Sequence, residues 1–167
     1  FIYKILHAVK LADELNQQQP GLHFVPVYYM GSEDADLDEL GYVTVGGQKL
    51  VWETQQTGAV GRMKVDKGLS KLIHAIHGQA GVLPFGKELT DLLQRCYTEG
   101  KTIQQATLEL VNELFGEFGL VVLIPDSAKL KTAFRSVVEK ELTEGFSHTI
   151  VADTIAALEK NYKVQAG

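Results

Sequence analysis

Three stretches of this 167-residue chain bring together side chains that could do chemistry. The first is Ser32-Glu33-Asp34-Ala35-Asp36, followed by Asp38 and Glu39. Carboxylates placed just beyond a buried strand can hold an ammonium or sugar hydroxyls, or bind Mg²⁺ together with a nucleotide phosphate. Ser32, Glu33, Asp34 and Asp36 are therefore the candidate substrate-binding residues. The second stretch, Thr57 to Lys64, carries two glycines and two cations. Gly61 through its backbone N–H, and Arg62 and Lys64 through their side chains, are candidates for a phosphate or carboxylate. The GxxxxGK[ST] spacing of a phosphate loop is absent, and an ordinary connecting loop explains the stretch equally well. The third is His74 and His77, three residues apart, a spacing that could present two imidazoles to a metal. With no third ligand at motif spacing they read as surface or helix-capping histidines, and no metal site is assigned.

The acids of the first stretch admit three explanations. Asp34, Asp36 and Asp38 match the opening of an EF-hand calcium loop, but Glu39 stands where the sharp turn needs Gly and Val45 where the bidentate Glu is needed. Calcium is discounted on that ground. Acids in the first turn of a short helix over 36–41 also interact favourably with its N-terminal dipole and serve as caps, which accounts for Asp36, Asp38 and Glu39 as well as any chemistry would. The third explanation, a substrate-facing loop, is favoured by position for Ser32, Glu33 and Asp34.

The elements that must hold these residues follow from periodicity and punctuation. Ile2, Ile5, Leu6, Val9 and Ala12 recur at helical spacing over residues 2–17. Pro20-Gly21 breaks the chain, and Phe24 to Met30 alternates too little for a half-exposed strand. It reads as a parallel strand covered on both faces, with Pro26 tolerable at its start or at a bulge. Gly46-Gly47 between Tyr42–Val45 and Gln48–Trp52 predicts a tight β-hairpin. Three helices follow: one ending at Gly78 as a left-handed cap, one around Lys87–Tyr97, and one over Thr102–Phe115. Leu120 to Ile124 is a second continuously apolar strand. Asp126 or Ser127 can cap a helix that runs through Leu130 and Val138 to Gly145, and Ser147 can cap a last one. The pattern is α/β, divided as 1–65, the first part of the core with its hairpin; 66–117, an inserted helical subdomain; and 118–167, the second part of the core and further helices.

Composition narrows the classes. A chain with 45% hydrophobic and 22% charged residues forms an ordinary core, and a net charge of −5 argues against a broad nucleic-acid or anionic-membrane surface. The single cysteine, Cys96, cannot form an internal disulfide and reads as a partly buried helix side chain in a reducing compartment. No apolar run approaches a membrane span and no signal pattern opens the chain, so a cytoplasmic location is expected. The first residue is Phe1 and already helical in pattern, which is expected of a piece of a longer protein.

Four ordered blocks, FIYKILHAVKLADEL, VPVYYMGSEDADLDEL, TGAVGRMK and LFGEFGLVVLIPD, resemble the bacillithiol biosynthesis cysteine-adding enzyme family. The resemblance spans nearly the whole chain. It implies a Rossmann-like parallel sheet core akin to nucleotidyltransferases and class I tRNA synthetases, helical insertions, and a C-terminal coiled coil through which a homodimer forms. It also implies a ligase that joins cysteine to glucosaminyl malate. Amide formation from a carboxylate needs activation, so ATP or another nucleotide with Mg²⁺ is expected, through an acyl-adenylate or acyl-phosphate. On that reading Arg62 and Lys64 stabilise charge on phosphate oxygens, and Glu33 and Asp34 hold the substrate amine or a metal. The family's acidic motif often reads E-D-H-D, whereas Ala35 stands at the histidine here. The Gly/Gln-rich segment that precedes the first helix in the family, and the coiled coil, are not in this chain, and the piece alone is expected to be inactive. A noncatalytic sugar- or nucleotide-binding module and a bare interaction scaffold are the competing readings.

Overall fold

A computed structural model describes residues 1–165. In chain order the elements are α1 (Ile2–Gln18), β1 (Val27–Tyr29), α2 (Leu37–Leu40), β2 (Tyr42–Val45) and β3 (Gln48–Val51). A 3₁₀ turn at Val60–Arg62 leads to α3 (Lys67–Ala80), α4 (Gly86–Cys96) and α5 (Ile103–Phe115), and β4 (Val121–Leu123) follows. Then come α6 (Ala128–Ala133), α7 (Arg135–Glu144) and α8 (Phe146–Leu158). Residues 1–125 form one compact unit, and the chain from Asp126 onward forms another.

The first unit is built on a parallel pair. Val27, Tyr28 and Tyr29 of β1 lie beside Val121, Val122 and Leu123 of β4. Pro26 stands at the start of β1, where its missing N–H costs no ladder bond and its carbonyl still accepts from Val121 at 3.0 Å. One face of the pair is covered. Ile5 and Val9 of α1 join Val111 and Phe115 of α5 and Leu120 in a buried cluster, with Tyr28 and Val122 against it. Phe1 stacks on Tyr28 with ring centroids 5.8 Å apart.

The expectation of a strand covered on both faces does not hold, because Val27 is 52% and Tyr29 60% exposed. Side chains alternate along a strand, so with helices on the Tyr28 side only, the two flanking positions face outward. The strand is also shorter than Phe24–Met30.

The hairpin forms as read. Tyr42 pairs with Val51 and Val45 with Gln48, and Gly46 and Gly47 take φ of 56° and 80°. That pair of positive values is what a two-residue turn matched to strand twist requires.

Helix α5 is the centre of the unit. Ile103 packs on the Trp52–Val60–Met63 cluster, Leu110 on Leu92 and Cys96 of α4, and Val111 and Phe115 on α1. Its Thr102 hydroxyl and Gln105 side chain form a reciprocal capping box that fixes its start. Of the three helices α5 shares a core with the parallel pair, and α3 and α4 join it through separate clusters.

Several boundary expectations are corrected. Helix α3 runs through Gly78 and is closed at Gly81, which is right-handed with φ −62°, because Gly81 N–H still reaches the His77 carbonyl. The turn that follows places Phe85 at φ 59°, a left-handed conformation unusual for a side chain of that size. In the second unit the expected single helix breaks at Phe134 into α6 and α7, and Gly145 closes α7 in the left-handed conformation at φ 58°. Ser127 makes no side-chain cap, and Asp126 pairs with Lys131 at 2.8 Å. Ser147 lies inside α8, and both its hydroxyl and its N–H donate to the Glu141 carboxylate. These bonds hold Glu141 below the usual carboxylate range.

Candidate functional site

The loop that leaves β1 emerges at the carboxyl end of the strand, on the edge where the parallel partner β4 also ends. That edge is where open α/β sheets bind ligands. Met30 N–H extends the ladder to the Leu123 carbonyl at 2.9 Å, and the chain then turns sharply, with Ser32 N–H on the Met30 carbonyl at 2.7 Å. Ser32 is buried at 4% exposure, and its hydroxyl has no hydrogen-bond partner among the described residues. Glu33 and Asp34 follow it at the surface.

Asp34 is partly structural. Its carboxylate accepts from Asp36 N–H at 3.0 Å, and Asp36 in turn caps α2 by accepting from Glu39 N–H at 3.1 Å. The helix-capping explanation therefore describes the geometry of Asp36, with Asp38 and Glu39 in the first turn of α2.

The two chemically promising loops meet. Val60 N–H donates to the Asp34 carbonyl at 2.7 Å and Gly61 N–H to the Ser32 carbonyl at 3.0 Å. Glycine at 61 is what allows this approach, since a Cβ there would lie 2.4 Å from the Ser32 carbonyl oxygen and 2.6 Å from the Ser32 Cβ. Glu33 and Arg62 each follow one side of this contact in sequence, so the contact brings an acid and a cation to the same edge of the sheet.

The same bonds decide what the second loop can do. Arg62 N–H goes to the Ala59 carbonyl, Met63 N–H to the Val60 carbonyl, and Lys64 N–H to Gln56 Oε1. All five amides from Val60 to Lys64 are thus engaged inside the protein. The loop does not form a backbone cradle for a phosphate, and any anion here falls to the side chains of Arg62 and Lys64. Among the described residues no three or more His, Cys, Asp or Glu side chains converge in a metal-holding group.

Lys64 opens on a different hollow, of about 690 Å³, lined by Glu53, Thr54, Gln56, Asp66 and Lys67. Its floor is a network that sequence reasoning missed. Asp66 accepts from Trp52 Nε1 at 2.8 Å, Thr54 Oγ1 at 2.8 Å, Gln56 Nε2 at 3.2 Å and, as the N-cap of α3, from Leu69 N–H at 2.9 Å. Partial desolvation alone would raise its pKa, but the donors from Leu69, Trp52, Thr54 and Gln56 together outweigh it and hold the carboxyl below the usual carboxylate range. Asp three residues before an apolar helix position is a capping signal that could have found Asp66. No local pattern points to its union with Trp52.

The remaining candidates are occupied elsewhere. His74 Nδ1 bonds the Ser70 carbonyl at 2.7 Å within its own helix, and His77 Nδ1 bonds Thr90 Oγ1 of α4 at 2.8 Å. Cys96 is 3% exposed, and burial first, then Glu109 and Glu113, push its thiol up. An apolar cleft of about 180 Å³ between the hairpin and α3, lined by Tyr42, Trp52, Leu69, Ile73 and Tyr97, has no charged side chain in its wall.

A parallel pair backed by helices, with an acidic loop and a cation-bearing turn fastened together past its carboxyl ends, defines a Rossmann-like α/β domain. The whole chain, residues 1–167, matches the family model described as Bacillithiol biosynthesis BshC, N-terminal Rossmann-like domain, and the chain belongs to that family. A Flavobacterium psychrophilum protein named "Putative cysteine ligase BshC" is 35% identical over 165 residues, covering 99% of this chain and 31% of the relative. A Cytophaga hutchinsonii protein of the same name is 36% identical over 165 residues, covering 98% of this chain and 30% of the relative. The chain thus spans 31% or less of the length of these relatives. The family resemblance and the α/β Rossmann-like class read from the sequence both hold.

Proposed function

We propose that this chain is the substrate-facing domain of a ligase that joins cysteine to glucosaminyl malate in bacillithiol biosynthesis. The observation that carries the reading is the contact between the two loops, Val60 N–H on Asp34 and Gly61 N–H on Ser32, at the ligand edge of the parallel pair. It joins the loop that carries Glu33 and Asp34 to the turn that carries Arg62, a combination of acids and a cation that suits a substrate bearing both an amine and oxyanions. Glu33 and Asp34 hold the ammonium of the amine substrate until it loses a proton and becomes nucleophilic. Arg62 stabilises negative charge that develops on oxygen as the acyl carbon is attacked, a role in which one preorganised donor is worth about a hundredfold in rate. Lys64, facing the Asp66 hollow, serves a neighbouring oxyanion.

Activation of the cysteine carboxyl by a nucleotide with Mg²⁺, a homodimer and a cytoplasmic location belong to the same reading. Among the described residues no helix is long and apolar enough to cross a membrane. The test is product formation by the full-length protein from cysteine and glucosaminyl malate, with ATP and Mg²⁺ present or withheld, read by mass spectrometry. Product should form, and Glu33→Ala and Arg62→Ala should each slow it. No product under any nucleotide condition, or turnover unchanged in both variants, would overturn the proposal.

A further inference from the structure

We propose that the outward face of the parallel pair is a docking surface for a helix supplied by the part of the full-length protein outside residues 1–167. The face is defined by register. Val27 lies beside Val121 and Tyr29 beside Leu123. Side chains alternate along a strand, so these four share the face opposite Tyr28 and Val122, which pack on the buried cluster of α1 and α5. Val27 is 52%, Tyr29 60% and Val121 48% exposed, and Leu123 is half-buried.

Strand composition and pairing both call for a cover there. Parallel strands carry helices on both faces, because the crossovers that join them lay helices there, and their sequences are apolar on both sides as a result. Val27-Tyr28-Tyr29 and Val121-Val122-Leu123 follow that rule, with no charged residue on either face. Among the described residues β1 and β4 are each other's only strand neighbour, so each also presents an open edge. A two-stranded parallel pair with one apolar face in water has the makings of a larger sheet layered between helices.

Length and geometry name the occupant. The chain spans 31% or less of the relatives it matches, so more than two thirds of a protein of their size lies outside it. The matching family model describes a Rossmann-like domain, in which helices lie on both faces of the sheet. A second copy fits less well, since it would set one parallel face on another, whereas parallel sheets bury their faces under helices. The four side chains are uncharged, so the helix meets them with an apolar stripe at 3.6-residue spacing.

The experiment uses the full-length protein. Hydroxyl-radical oxidation of Tyr29, read at residue level by tandem mass spectrometry, is compared in native and urea-unfolded protein. A covered Tyr29 should oxidise about tenfold more slowly when native, whereas one left at 60% exposure would stay within about twofold of the unfolded rate. In a second measurement Tyr29 is replaced by the photoreactive p-benzoylphenylalanine and irradiated. The expected product is a crosslink within one chain to a peptide outside residues 1–167. A native rate within about twofold of the unfolded one would overturn the proposal. So would a crosslink between two chains, a crosslink to a peptide inside residues 1–167, or no crosslink. Neither readout involves turnover, so failure here leaves the ligase reading untouched.

Discussion

Replacing Asp66 by Ala removes one carboxylate and leaves four donors without it: Trp52 Nε1, Thr54 Oγ1, Gln56 Nε2 and Leu69 N–H. Their costs differ. The Trp52 side chain is buried at 6% exposure, so its indole N–H is stranded, at about 1–3 kcal/mol. Loss of the α3 cap adds about 1 kcal/mol. Thr54 and Gln56 are only partly buried and regain water, so they add little. The expected destabilisation is about 2–4 kcal/mol. Asp66→Asn keeps one carbonyl oxygen for Trp52 and Leu69 but sets an amide NH₂ against Gln56, and should cost about 1 kcal/mol. Trp52 is the only tryptophan, so its fluorescence during equilibrium urea unfolding reports on this network directly. The carboxyl's folded pKa lies below its unfolded value, so its contribution to stability is present above the unfolded pKa of about 3.9 and is lost as pH falls through the folded pKa. The stability gap between wild type and Asp66→Asn should therefore narrow below about pH 4. Equal stability of Asp66→Ala and Asp66→Asn, or a gap that widens in acid, would refute the account.

Gly61→Ala places a Cβ 2.4 Å from the Ser32 carbonyl oxygen and should open the seam, costing about 1–3 kcal/mol in urea unfolding and lowering turnover of the full-length protein. Phe85→Gly relieves a left-handed φ of 59° at an exposed position and should stabilise by roughly 0.5–1 kcal/mol after the added chain entropy, seen as a higher urea midpoint with unchanged slope. Cys96, buried with its thiol pushed up, should resist alkylation at pH 8 in the native protein and react promptly in urea, followed by intact mass.

Elements with their own local code were legible in the sequence. Two consecutive glycines between β-formers specify the hairpin, because only glycine takes two positive φ values cheaply, and the 3.6-residue spacing of Ile5, Val9 and Ala12 specifies the buried face of α1. The acidic loop and the Thr57–Lys64 loop were legible as chemistry. Their contact was not, because it is made by backbone N–H and carbonyl groups that leave no mark in residue type, except for glycine at 61. The coverage of β1 was misread for a related reason: an unbroken apolar run says that a strand tolerates burial, and which face is buried depends on where α1 and α5 lie. Asp66 was passed over because its partners Trp52, Thr54 and Gln56 come from the other side of the loop, ten or more residues earlier.

The segment from Val60 to Asp66 explains why these features occur together. Val60 and Gly61 bond the acidic loop, and the Gln56 carboxamide brackets Lys64 by donating to its carbonyl and accepting from its N–H. The Met63 carbonyl accepts from Ile103 N–H, Val65 N–H reaches the Lys101 carbonyl, and Gly100 N–H returns to the Val65 carbonyl. Asp66 then caps α3. Seven residues thus tie the loop after β1, the chain after the hairpin, the start of α3 and the start of α5 to one strip of backbone, with Met63 at 4% and Val65 at 2% exposure anchoring it. Arg62 belongs to a strip whose backbone is hydrogen-bonded on both sides, so on the proposed ligase reading its guanidinium is carried by a backbone tied to Ser32 and Asp34. Preorganised charge of this kind is what a transition state rewards. Loosening the end away from the acidic loop should therefore act on turnover more than on substrate binding: Asp66→Ala, made in the full-length protein and assayed below its unfolding temperature, should lower kcat while leaving KM for glucosaminyl malate within about twofold. A change confined to KM would show that the strip holds substrate without presenting Arg62 to the reacting atoms.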